Sequence, residues 1–359
     1  MMHRIRVLVV DDSAFARGVI ARKLNADPEI EVMGSARDGV EAVEKTKSLK
    51  PDVVTMDVQM PRMDGLATVR QVMAECPTPI VMVSSLTSAG AQATIQALEL
   101  GAVDFFLKPS LSTPAGNDET SEELTTKVKQ AARVTQARLK AGAPSTVLSS
   151  VARRQTSSNP TYMDKVIVIG SSTGGPRALC QLFRLLPSDI PATALVVQHM
   201  PPGFTRSLAE RLNQVSDWHV KEAEPGDTLQ QGHALVAPGG YHMKIRQGNM
   251  VELTSEPPVN GLRPAADVTM ESAAWLYRAS AVGVVLTGIG SDGTLGSAMV
   301  RAAGGYVLAE DESTCTVFGM PKAVIESGNA NAVVPLPQMA DEIARICRAN
   351  QKLQRGVRV

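Results

Sequence analysis

Three stretches far apart in the chain carry residue types that could perform hydrolysis together. Gly170-Ser171-Ser172-Thr173-Gly174-Gly175-Pro176 follows an apolar run that begins at Val166. His199 follows the apolar run 194–197, and Asp292 lies in Thr287-Gly-Ile-Gly-Ser-Asp-Gly293 after the run 281–286. A serine hydroxyl is a poor nucleophile until a base takes its proton, and histidine suits that task near neutrality. The histidine in turn needs a carboxylate to fix its tautomer and stabilise its charged form. By itself the serine stretch admits three readings: an anion-binding turn, a seat for a nucleophile, or a structural turn. Its glycines tolerate a sharp strand-to-helix turn and its proline suits a first helical position, which all three require. It lacks the lysine of a P-loop and the spacing of a dinucleotide fingerprint. Which of Ser171 and Ser172 would attack is open at this level.

A second constellation lies near the N-terminus. Asp11 and Asp12 close one apolar run, Asp57 closes another, Ser84 and Ser85 end a third, and Lys108 follows a fourth. Any one of these acids reads as a strand-end turn former or helix cap. Three carboxylates at one mouth, however, repel one another unless a cation neutralises them. An all-oxygen set of this kind suits Mg²⁺, which takes one or two carboxylates, waters and a phosphoryl oxygen. Lys108 could pair with a carboxylate or phosphoryl group, and Ser84 could hydrogen-bond a phosphoryl oxygen.

The elements that must position these residues follow from periodicity. Residues 5–110 alternate short apolar runs with helical patterns, which argues for a parallel sheet with helices on both faces. Ligands of such sheets bind beyond the carboxyl ends of the strands, where all the polar residues named above fall. The same alternation resumes at Lys165, interrupted over 233–254 by strand–turn–strand syntax that predicts an antiparallel insert. Segment 122–139 predicts an amphipathic helix, and 141–163 is rich in Ser, Thr, Pro and Ala, as linkers are. Within it, Arg153 and Arg154 read as solvated linker charge. The expected fold class is α/β throughout. A five-stranded, doubly wound, flavodoxin-like sheet occupies residues 1–140, followed by a linker at 141–164. A mostly parallel, doubly wound hydrolytic domain with an antiparallel hairpin occupies 165–350, and a tail 351–359.

Composition bounds the partners. A chain of 359 residues, 44% of them hydrophobic, suits two globular cores. Lys+Arg and Asp+Glu both total 36, so no net charge drives association with nucleic acid or an anionic membrane. No apolar run approaches the roughly 20 residues of a membrane span. Cys76, Cys180, Cys315 and Cys347 are scattered without zinc or redox spacing, as expected of reduced thiols in a cytoplasmic protein.

Residues 5–110 resemble a response-regulator receiver domain. The resemblance implies that Asp57 accepts a phosphoryl group from a histidine kinase, and that Asp11, Asp12, Asp57 and the carbonyl of Gln59 hold Mg²⁺. Ser84 and Phe105 match its switch positions and Lys108 its lysine. Phe105 has no hydroxyl, unlike the tyrosine common there.

Together, Gly170-Ser-Ser-Thr-Gly-Gly175, Gln198-His-Met-Pro-Pro-Gly-Phe204, Ala237-Pro-Gly-Gly240, Arg263-Pro264, the 287–293 stretch and Gly319-Met-Pro321 resemble the CheB family of chemotaxis protein-glutamate methylesterases. The resemblance implies Ser172 as nucleophile, His199 as base and Asp292 as its orienting acid. It places oxyanion donors at Thr173 and in the loop 288–290 around Ile289, which here reads Gly-Ile-Gly rather than Gly-Met-Gly. The implied substrates are glutamate γ-methyl esters on methyl-accepting chemoreceptor helices, and glutamines that are deamidated. No cofactor is implied for the ester chemistry. The chain is expected to be a monomer whose receiver controls the hydrolase mouth through phosphorylation. Its rivals are the same chemistry in a pathway other than chemotaxis, and a non-catalytic docking module.

Overall fold

The computed structural model describes residues 4–108, 118–135, 139 and 165–349. The expected linker 141–164, with Arg153 and Arg154, and the tail 351–359 lie outside the described residues. The chain divides into two compact units, 1–145 and 146–359.

In the first unit, strands β1 (Ile5–Val10), β2 (Ile30–Ala36), β3 (Val53–Asp57), β4 (Ile80–Ser84) and β5 (Asp104–Leu107) form one parallel sheet in the order β2-β1-β3-β4-β5. β1, β3 and β4 are mostly apolar and do not alternate, because helices cover both faces. The chain places β2 on one side of β1 and β3 on the other, so the strand order reverses at the β1/β3 boundary. A crevice opens at such a reversal, and Asp11 and Asp57 flank it.

The helix caps come from other residues. Ser13 caps helix Ala14–Asn25, Asp38 caps Gly39–Leu49, Asp64 caps Gly65–Glu75 and Thr87 caps Ser88–Leu100, each by accepting a backbone N–H. Asp11, Asp12 and Asp57 are thus left for other work. The helix expected at 122–139 both starts and ends earlier, as Asp118–Ala132.

The second unit contains β6 (Lys165–Ser171), β7 (Ala192–Gln198), β8 (His219–Glu222), β9 (His233–Val236), β10 (His242–Arg246), β11 (Met250–Thr254), β12 (Ala281–Val285), β13 (Tyr306–Glu310) and β14 (Ala332–Val334). Seven of them make a parallel sheet in the order β14-β13-β12-β6-β7-β9-β8, and β10 and β11 form an antiparallel hairpin. The expected insert over 233–254 is therefore shorter. β9 belongs to the main sheet, pairing parallel with β7 and β8. The reason is visible in its residues: Ala234, Leu235 and Val236 are consecutively buried, as in a strand covered on both faces. The hairpin turns at Gly248 and Asn249, both at positive φ. Its Met243, Ile245 and Val251 pack with Met270 and Ala273 of helix Ala266–Tyr277 in one core over the sheet. β6 is central, with β7 on one side and β12 on the other, so the three candidate strand ends are neighbours.

Candidate active site

The β6–β7 ladder runs in register to its last pair, Ser171 opposite Gln198, and the His199 N–H donates to the Ser171 carbonyl (3.1 Å). The two serines separate here. Ser171 is wholly buried and its Oγ lies 2.7 Å from Oε1 of Gln198. Ser172, one residue beyond the sheet, is part-exposed. Its N–H donates to the Thr287 carbonyl (3.0 Å), and its carbonyl accepts from Gly175 N (2.8 Å) and Gln198 Nε2 (2.9 Å). Two glycines make this turn possible. Gly174 has φ +78°, where a Cβ would also sit 2.4 Å from the Thr316 side chain. A Cβ on Gly288 would lie 2.8 Å from Cβ of Ser172, so the loop after β12 closes directly against the serine.

His199 and Asp292 meet. Nε2 of His199 lies 2.7 Å from Oδ2 of Asp292, with the side chains 9% and 1% exposed. A carboxylate only accepts, so Nε2 carries the proton and Nδ1 is the basic nitrogen. Asp292 also accepts from Ala266 N (2.6 Å), Asp267 N (2.9 Å) and Gly293 N (2.9 Å). The first two belong to the opening turn of helix Ala266–Tyr277, whose dipole favours an anion there. Burial alone would raise the Asp292 pKa, but His199 and the backbone donors outweigh it and hold it lowered. Its neighbour Asp267 has the opposite balance. Burial, reinforced by the nearby Asp292 charge, raises it to about 6 despite a 2.7 Å hydrogen bond from Gly296 N.

The expected oxyanion donors sort into committed and available groups. Ser172 N is used by Thr287, Thr287 N donates to Glu310 Oε2 (2.8 Å), and Gly288 N donates to Val317 O (3.1 Å). The Ile289 N–H has no acceptor among the described residues. Thr173 is buried, and its carbonyl accepts from Thr287 Oγ1 (3.0 Å). Glu310 is fully buried beneath this loop, and burial pushes its carboxyl up to about 7.

In the first unit, ligand oxygens of Asp11, Asp12 and Asp57 all lie within 4.8 Å of one another. Lys108 Nζ lies 2.8 Å from Asp11 Oδ2 and 2.9 Å from Asp57 Oδ2. Burial raises the Asp57 pKa despite that ammonium, while the two carboxylates raise that of Lys108 against its own burial. Arg17 Nη1 ties down the carbonyls of Asp11 (2.8 Å) and Asp12 (3.0 Å). Gln59 follows β3 with its side chain exposed. The Ser84 hydroxyl is buried, donating to Gly90 O (3.3 Å) and accepting from Thr94 Oγ1 (2.9 Å). Phe105 is buried, with the Lys127 ammonium 5.0 Å from its ring centre.

Sequence reasoning left Gln198, Asp267 and Glu310 without roles. Gln198 and Glu310 each close a strand whose neighbouring residues are apolar and buried, and that was the available signal. Asp267 had none, since its meeting with Asp292 depends on how helix Ala266–Tyr277 docks.

The family described as CheB methylesterase matches residues 167–343, and the response regulator receiver domain family matches residues 7–113. A protein-glutamate methylesterase/protein-glutamine glutaminase of Symbiobacterium thermophilum is 51% identical over 95% of this chain and 96% of its own length. A protein of the same name from Pyrococcus horikoshii is 46% identical, covering 100% of this chain and 99% of the relative. The crystal structure of the Thermotoga maritima CheB methylesterase catalytic domain superposes with TM-score 0.50 at 46% identity, over 51% of this chain and 98% of that one. With its receiver, its hydrolase sheet and relatives of this identity along nearly its whole length, the chain belongs to the CheB family of protein-glutamate methylesterases.

Proposed function

We propose that this chain is a phosphorylation-controlled hydrolase that removes methyl groups from glutamate γ-methyl esters of chemoreceptors and deamidates receptor glutamines, in chemotactic adaptation. The observation that carries this reading is the 2.7 Å His199–Asp292 contact at a strand end paired in register beside the serine turn. The hydrolase spans 165–350 and the receiver 1–140, joined by the linker 141–164.

Ser172 Oγ attacks the ester carbonyl carbon while His199 Nδ1 takes its proton. Asp292 holds the Nε2 proton and stabilises the imidazolium. The tetrahedral oxyanion faces the Ile289 N–H and the Thr173 backbone. Collapse breaks the C–O bond to the methoxy group, and His199 returns the proton to release methanol. Water, deprotonated by the same nitrogen, then cleaves the acyl-enzyme to a glutamate carboxylate and regenerates Ser172. A glutamine follows the same steps and loses ammonia.

In the receiver, Asp57 accepts the phosphoryl group of a histidine kinase, with Ser84 and Phe105 as its switch pair. The three clustered carboxylates give the all-oxygen donor set of a hard divalent cation. Asp11, Asp12, Asp57 and the Gln59 carbonyl would hold Mg²⁺, which supplies charge neutralisation for phosphoryl transfer. Lys108 balances the acids and orients Asp57. Among the described residues no helix is long and apolar enough to cross a membrane. The enzyme works as a cytoplasmic monomer on receptor helices.

The test is methanol release from methylated receptor, with and without phosphodonor and Mg²⁺. Wild type releases methanol faster with phosphodonor, Ser172→Ala releases none, and Asp57→Ala shows only the basal rate. Full activity in Ser172→Ala overturns the reading.

A further inference from the structure

The backbone ladder that joins the nucleophile strand to the base strand stops one residue short of the chemistry. Its last links are the Ser171–Gln198 pair and the His199 N–H to Ser171 carbonyl bond. Beyond that point Ser172 turns the other way, donating its N–H to Thr287 after β12. Among the described residues no backbone hydrogen bond ties Ser172 to His199. One side chain spans the gap. Gln198 Nε2 donates to the Ser172 carbonyl (2.9 Å) and the His199 carbonyl (3.3 Å), and its Oε1 faces Ser171 Oγ at 2.7 Å.

Chemistry fixes the orientation of this amide. Two carbonyl oxygens can only accept, so the nitrogen must face them. The amide oxygen must then face Ser171, whose hydroxyl is obliged to donate. The Ser171 proton is thereby committed, while Ser172 sits part-exposed beside it. The amide also explains the second glycine of Thr-Gly-Gly. A Cβ on Gly175 would lie 2.0 Å from Gln198 Oε1 and 2.9 Å from Ser171 Oγ. Any side chain there would expel the amide from its seat.

We infer that Gln198 is a positioning residue of the hydrolase: braced by the Ser171 hydroxyl, its amide sets the spacing between the Ser172 turn and the end of the His199 strand. This rests on the assignment of Ser172 and His199 as nucleophile and base. Gln198 touches no reacting atom and acts through the two backbones it joins. Being 1% exposed, it keeps that geometry free of competing water.

The experiment compares full-length wild type with Gln198→Met, Gln198→Glu, Ser171→Ala and Ser172→Ala. It measures kcat and KM for methanol release, the labelling rate by a serine-directed fluorophosphonate, and the melting midpoint. Misplacing reacting groups by about 1 Å costs about 100-fold. Gln198→Met is expected to lose that much in kcat and in labelling rate, with KM within about twofold of wild type. Gln198→Glu loses at least as much, because a carboxylate oxygen would then face two carbonyl oxygens. Ser171→Ala keeps both amide donations and loses only about 3- to 10-fold in each rate, again at unchanged KM. It needs no Gln198 variant to fold, so the proposal stays testable if those variants do not. A clamp that merely holds the fold would lower the melting midpoint and leave kcat and labelling at wild-type values well below the melt; that result overturns the inference. Wild-type labelling of Ser172→Ala would instead overturn the nucleophile assignment beneath it.

Discussion

The two sheets place their polar residues alike, beyond the carboxyl ends of strands flanking a reversal in strand order, and then handle charge in opposite ways. At the receiver mouth, Asp11, Asp12 and Asp57 crowd together; Asp11 and Asp57 each accept one backbone N–H at Oδ1, from Ser13 (2.9 Å) and Val58 (2.8 Å), and share the single ammonium of Lys108. At the hydrolase mouth, Asp292 is answered by three backbone N–H groups and one imidazole, all fixed by the fold. The pKa directions record the contrast: raised for Asp57 by burial, lowered for Asp292 by its donors against burial. A lysine and a cation can come and go as a phosphoryl group does, which suits a switch. Backbone donors cannot, which suits a site that must already be organised when substrate arrives. The first mouth leaves Asp57 with unfavourable charge, whereas the second relieves it at Asp292.

The largest way to break that contrast is at Asp292. Asp292→Asn presents an amide that can turn its NH₂ toward His199 and enforce the wrong tautomer, so kcat for methanol release should fall about 10⁴-fold. The same variant should melt below wild type, because a lowered pKa means that the fold prefers the charged form. A fall under tenfold would mean that Asp292 does not orient the base.

Removal of the switch separates the two mouths altogether. A chain lacking residues 1–140 should hydrolyse ester without phosphodonor, at a rate about 5- to 150-fold above the unphosphorylated full chain, the usual range of a coupling free energy. An unchanged or lower basal rate in that fragment, shown to be folded by circular dichroism, would contradict control by the receiver.

Neutralising the stored charge should have the reverse sign to Asp292. Asp57→Asn removes a carboxylate whose ionised form the fold disfavours. The receiver transition should therefore rise by about 2–5 °C in calorimetry at pH 7, while phosphodonor response disappears. A fall in that transition would show that Asp57 and Lys108 stabilise rather than strain the mouth.

A further test, of stability alone, concerns Glu310, buried under the loop that carries Ile289. Its carboxyl is raised from 4.5 to about 7 in the fold. Between those values the folded protein holds a proton that the unfolded chain has lost, so stability falls as pH rises and the penalty is complete above about pH 7. Glu310→Gln should remove that trend, melting higher than wild type at pH 8 and close to it at pH 4.5. Parallel melting profiles across the range would exclude the assignment.

Much of this was legible in the chain. Consecutive buried, mostly apolar residues at 7–10, 53–56 and 166–169 announce parallel strands, and polar residues at their carboxyl ends announce sites. β9 is misplaced by sequence because His233 to Val236, followed closely by a hairpin, looks local; it pairs instead with two earlier parallel strands, β7 and β8. Ser171 and Ser172 are chemically identical and adjacent, so only burial and the Gln198 contact separate them. Asp267 was invisible for the same reason: its proximity to Asp292 is a product of packing, which leaves no periodic trace.

The central claim is that Ser172, activated by His199 and Asp292, is the nucleophile. The most direct measurement is the site of covalent modification, mapped by peptide mass spectrometry after the full-length chain reacts with a fluorophosphonate. A single adduct on Ser172, retained in Ser171→Ala and absent from both Ser172→Ala and His199→Ala, is the predicted result. An adduct on Ser171, or one that survives in Ser172→Ala, would contradict it.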